Sequence, residues 1–237
     1  MEYPGKTGDG AEIMKNSRAD DRGYSFEILT EDTVEEMAQL VSGDFVYDEP
    51  IYWALKLTSE EYLPLARLFV PLYASDSLSL IARDRETGQG AGFVFAMDLI
   101  HEPFGSLKEK YEATDSFWMK LLHERAFLDE MERSYIDSRK PRKGEVLLLT
   151  LLGVLRPHRG RGLATSLLRA AVDSGRRKGF TKAISECTGP ASVKAHQKCG
   201  FTQAGSLDYR TYKRNGEHPF RDLSGACILM EKDLTVD

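Results

Sequence analysis

Val146 to Ala164 reads V-L-L-L-T-L-L-G-V-L-R-P-H-R-G-R-G-L-A. The run Val146–Leu155 is apolar almost throughout, which suits a strand buried on both faces. Leu163–Lys178 then places Ala164, Leu167, Leu168, Ala171 and Val172 at i, i+3, i+4, i+7 and i+8 spacing, and Gly179 follows as a stop. Arg159-Gly160-Arg161-Gly162 therefore stands where a strand ends and a helix begins. The first amides of a helix lack intrahelical partners and carry the positive end of its dipole. Two glycines remove the Cβ atoms that would block an approaching diphosphate, and two arginines add charge. The stretch reads as a phosphate cradle, set against a plain Gly-rich turn with surface arginines. It lacks the G-K-[ST] ending of a nucleotide-triphosphatase loop and the G-x-G-x-x-G of a dinucleotide fold.

Outward from this core, strand patterns lie at Tyr24–Leu29, Ser77–Asp84, Gly90–Leu99, Thr181–Thr188, Thr202–Tyr212 and Gly225–Asp233. Thr33 and Glu36 suggest a capping box for a helix ending near Gly43. Residues 44–74 mix short helical patterns with Tyr47, Tyr52, Trp53, Tyr62, Phe69 and Tyr73, either a pocket wall or core filling. Asp115–Tyr135 predicts a long helix, and Ser192–Lys198 a short one with Ser192 as its N-cap. Residues 1–23 are polar and read as a disordered tail, leaving 24–237 as the domain. The order is α/β: one mixed sheet with helices on both faces.

Composition narrows the function. A net charge of −5 opposes general nucleic-acid binding, and no apolar run is long enough to span a bilayer. Three cysteines without a C-x-x-C clip predict a reducing compartment and no metal site. The N-terminus has no apolar signal region, so the expected compartment is the cytoplasm. The expected state is a monomer.

The succession L-G-V-L-R-P-H-R-G-R-G-L-A, helix, strand, then A-H-Q-K-C-G-F resembles the GCN5-related N-acetyltransferases (GNAT). Their phosphate motif maps onto Arg159, Gly162 and Ala164. Asp48-Glu49-Pro50 and Tyr212-Lys213-x-x-Gly216-Glu217-x-x-Phe220 are similar to the insect-type arylalkylamine branch. The resemblance implies a sheet of six to seven strands, splayed where acetyl-CoA enters. Leu152, Gly153 and Val154, with a bulge eased by Gly153, would meet the pantetheine arm. Arg159, Gly160, Arg161, Gly162, Leu163 and Ala164 would hold the pyrophosphate.

The acceptor implied is a small primary amine such as dopamine, serotonin, tyramine or octopamine. A polyamine, a protein N-terminus and a catalytically silent coenzyme A-binding module are the alternatives. An alkylammonium loses its proton near pH 10.4, so about one molecule in a thousand is nucleophilic at neutral pH, and a base is needed. The resemblance puts Glu49 in that role. It implies further catalytic hydroxyls at Thr188 and Ser192. Tyr47, Asp48, Tyr212 and Phe220 are candidate amine contacts; Tyr209, Tyr212 and Phe220 read either as the far wall of the amine pocket or as strand core packing. His196 stands where many relatives carry a general-acid tyrosine, which leaves the acid open.

Overall fold

The computed structural model describes residues 23–100 and 115–236. The tail expected at residues 1–23 thus lies, apart from Gly23, outside the described residues. Seven strands, β1 (Tyr24–Ile28), β2 (Leu80–Asp84), β3 (Gly90–Asp98), β4 (Val146–Val154), β5 (Lys182–Cys187), β6 (Thr202–Asp208) and β7 (Ala226–Asp233), form one sheet. Their order is β1-β2-β3-β4-β5-β7-β6. Only β4 and β5 pair in parallel among these neighbours.

Helices cover both faces. On one side pack α1 (Val34–Leu40), α2 (Val46–Asp48), α3 (Pro50–Ala54), α4 (Ser59–Ala74) and α5 (Asp115–Arg139). On the other pack α6 (Leu163–Arg177) and α7 (Pro190–Lys198). Strand β4 sends Val146 and Leu148 into the first core, Leu147 and Leu149 into the second. This alternation explains its unbroken apolar run, since each face of the strand is covered.

Local structure differs from expectation in three places, each with a cause. Thr33 and Glu36 make no capping box. A 3₁₀ turn, Glu31–Thr33, precedes α1, the Thr30 amide donates to Thr33 Oγ1 at 3.1 Å, and Glu36 is paired with Arg83. The first helix does not end at Gly43 but unwinds into a π turn, Val41–Phe45, where Gly43 leaves helical geometry at φ −77°, ψ −116°. The chain then continues through α2 to Glu49. Residues 59–74 form one helix, although Pro64 and Pro71 lie inside it. Both prolines stand on the exposed side, opposite Tyr62, Leu65, Phe69 and Tyr73, so water can satisfy the carbonyls they leave unpaired.

Candidate active site

Strands β4 and β5 pair only from Val146↔Lys182 to Leu149↔Ser185. Beyond that point they diverge, as the splayed sheet requires. The bulge behind the divergence sits at Thr150: Phe95 pairs with Leu151 and Ala96 with Leu149, leaving Thr150 as the extra residue. The expected assignment to Gly153 is corrected. Gly153 serves another need, because a Cβ there would lie 2.3 Å from Cζ of Phe93 on β3. The Leu155 amide bonds back to Ala91 on β3. By strand alternation, Leu152 and Val154 therefore aim their backbone groups into the gap. The Val154 carbonyl accepts from Arg159 Nε at 2.8 Å.

The gap opens into a groove with a cavity volume of about 590 Å³. Leu152, Gly153, Val154, Arg159, Gly160, Gly162, Leu163 and Ala164 all line it. Gly160 and Gly162 take φ of +74° and +78°, the left-handed region that favours glycine. A Cβ on Gly160 would meet no atom within 4 Å. Gly162 is the N-cap of α6 and provides no side-chain cap, so the helix presents its first amides towards the groove. A diphosphate fits this unobstructed, dipole-favoured end. Arg161 does not line the groove; it lies within electrostatic reach of Asp84.

Glu49 reaches the same groove from far away in sequence. Pro50 biases it to extended backbone, and it has φ −78°, ψ 118° as N-cap of α3. Its Oε1 accepts from the Ile51 amide at 3.2 Å, and its Oε2 from Thr188 Oγ1 at 2.8 Å. Thr188 is held in turn by Tyr209, whose hydroxyl donates to the Thr188 carbonyl at 2.7 Å. The residue keeps some surface open to the groove, but its carboxylate is packed deep. Burial pushes the carboxylate up to about 7, against the opposing pull of Thr188 and Ile51.

Ser192 also lines the groove, but it is not the helix N-cap. Helix α7 starts two residues earlier, with Gly189 as N-cap and Pro190 at its first position, where a missing N–H costs nothing. His196 is fully buried behind Ser192. Its Nδ1 donates to the Ser192 carbonyl at 2.9 Å and lies 3.2 Å from Cys187 Sγ. Nε2 is then the unprotonated nitrogen, and it meets no partner among the described residues. Burial lowers the imidazole to about 4. It packs edge-on against Phe201, is neutral at physiological pH, and cannot donate from an imidazolium there.

Residues 96–201, less than half of the chain, match the family model described as acetyltransferase (GNAT) family. The chain carries a GNAT acetyltransferase domain. Three solved structures share its fold. Arylalkylamine N-acetyltransferase 2 from Aedes aegypti is 20% identical with a TM-score of 0.71, covering 89% of this chain and 99% of that one. The C-terminal condensation domain of Ebony, in complex with beta-alanyl-dopamine, is 17% identical at 0.77, covering 89% and 98%. A Drosophila melanogaster polyamine N-acetyltransferase is 18% identical at 0.69, covering 88% and 97%.

Of the four residues expected at the amine, Asp48 alone lines the groove. Tyr47 is 52% exposed, its hydroxyl turned to the Ser59 amide at 3.4 Å. Asp48 borders the groove but is bound to Arg159 at 2.5 Å, with Arg156 at 3.5 Å. It is a brace between α2 and the phosphate turn, and Arg159 holds its carboxyl below the usual range. Tyr212 and Phe220 pack with Tyr209 around Phe127 on α5, in the core. Of the early aromatics, Tyr52, Tyr62, Phe69 and Tyr73 are both core and wall. They line a second cavity of about 250 Å³ beside the β4 bulge, together with Thr150, Leu151, Glu124 and Glu186. The two glutamates were missed. The available signal was Glu186 itself, a carboxylate within the otherwise buried strand A-I-S-E-C.

Proposed function

We propose that this protein transfers the acetyl group of acetyl-CoA directly to a small primary amine, with Glu49 as the base. The observation that carries the reading is Glu49 in the groove beside the phosphate turn, with a proton affinity near neutrality. A base tuned to about 7 is ionised in about half of the molecules at neutral pH and is strong enough to take a proton. Acetyl-CoA, when bound, supplies the thioester carbon as electrophile. The amides of α6 and the free backbone edge at Leu152 would hold its diphosphate and arm. Glu49 accepts the ammonium proton, Thr188 fixes the carboxylate, the N–C bond forms, the C–S bond breaks and the thiolate takes up a proton.

Transfer through an acetyl-cysteine is disfavoured. Cys187 is buried and pushed up to about 11, chiefly by that burial, so its thiolate is scarce. For the acceptor, the aromatic wall supports an arylalkylamine, the class named for the Aedes aegypti enzyme. A second reading, an amine of the polyamine kind, is favoured by Glu124 and Glu186 in the same cavity. Thiol release from acetyl-CoA across a panel of amines tests the reaction. Amine-dependent release is expected; tight coenzyme A binding without release for any amine would instead establish a silent binding module.

A further inference from the structure

The cavity between α4, α5 and the β4 bulge has an unusual balance of groups. Its walls are aromatic, from Tyr52, Tyr62, Phe69 and Tyr73, yet Glu124 of α5 and Glu186 of β5 both face into it. Among the described residues lining it, Arg125 is the cation; it offsets the two carboxylates only in part, because it is paired with Asp129 at 2.5 Å and Glu132 at 2.6 Å, both on its own helix. Glu124 receives a hydrogen bond from Tyr52, whose hydroxyl is paired with that of Tyr62 at 2.7 Å. Glu186 Oε1 is buried and has no hydrogen-bond partner among the described residues. An unpartnered polar atom in a packed interior is costly, and a buried carboxylate more so. Resting on the acetyltransferase reading above, we propose that Glu124 and Glu186 form a cation subsite, and that the acceptor is a diamine: a primary amine joined by a short apolar spacer to a second ammonium or guanidinium.

Three features point to a cation there. The orphaned Oε1 is an acceptor awaiting a donor. Aromatic faces attract cations as well as apolar chains. Burial, reinforced by the neighbouring carboxylates, raises the proton affinity of both glutamates, a strain that a bound cation relieves. The cavity also adjoins the groove that holds Glu49: Leu151 of β4 lines the one and Leu152 the other, and Tyr52 lines the cavity while Glu49 and Pro50 line the groove. A single extended molecule could place one nitrogen at Glu49 and the other at Glu186.

The test compares kcat/KM for 1,5-diaminopentane and n-pentylamine, which differ by one ammonium. The parent protein is expected to favour the diamine by roughly tenfold or more, the range for a buried charge-assisted contact. In Glu186→Gln that ratio should fall towards one, and Glu124→Gln should reduce it in part. A ratio near one in the parent, or a ratio unchanged in both variants, would overturn the subsite. Should neither amine consume acetyl-CoA, the reaction assigned above fails separately. The subsite is then decided by calorimetric affinity of the parent for the two amines, a tenfold diamine preference supporting it and equal affinity overturning it.

Discussion

At the scale of single residues, the account turns on a carboxylate held by two donors inside a groove. Thr188 pulls the proton affinity of Glu49 down while burial pushes it up. Thr188→Val should therefore move the acid limb of the kcat/KM profile to higher pH than about 7, and Thr188→Ser should restore it. A limb unmoved in Thr188→Val would mean that the hydroxyl does not tune the base. Glu49 was legible in sequence because proline fixes its backbone and the D-E-P context is distinctive. The fates of Tyr47, Tyr212 and Phe220 were not. Whether an aromatic on a helix or in a loop faces a ligand, solvent or Phe127 depends on which elements pack beside it, and no local pattern encodes that.

At the scale of elements, the groove exists because β4 leaves β5 after Leu149, with the extra residue Thr150 turning the strand. Gly153 keeps that strand seated by giving room to the Phe93 ring. Gly153→Ala should destabilise by about 1–3 kcal/mol, the usual cost of an overpacked site. Adding Phe93→Leu should recover part of the loss, as urea melts of the single and double variants would show. Equal, additive losses would deny the contact. The strands and α6 were legible from period and turn residues alone. The length of α4 was not: residues 44–74 read as short helical patterns, whereas one helix runs through Pro64 and Pro71, which its exposed side absorbs. Nor was the start of α7, where Pro190 and not Ser192 governs the boundary.

Across the whole molecule, the groove and the cavity beside the β4 bulge hold carboxylates whose proton affinity burial raises. Glu49 and Glu124 each stand near 7 against an ordinary 4.5, mainly through burial. Between those values the folded chain keeps protons that the unfolded chain has released, so their stabilising share is full below 4.5 and is lost as pH rises through 7. His196 works oppositely: its share is full above 6.5 and is lost as pH falls towards 4. Glu124→Gln removes one carboxylate from this balance. Its melting temperature should rise relative to the parent as pH goes from about 5 to about 8, by roughly 2–4 °C per kcal/mol in a chain of this size. A constant difference across that range would show that Glu124 is not held protonated.

The most direct measurement is the pH dependence of kcat/KM for acetyl transfer, taken with several amines of different basicity. An acid limb near pH 7 is expected, the same for each amine and abolished in Glu49→Gln with a loss of roughly 10²–10⁴ in rate. A limb that follows the basicity of the amine, or one that persists in Glu49→Gln, would contradict Glu49 as the base.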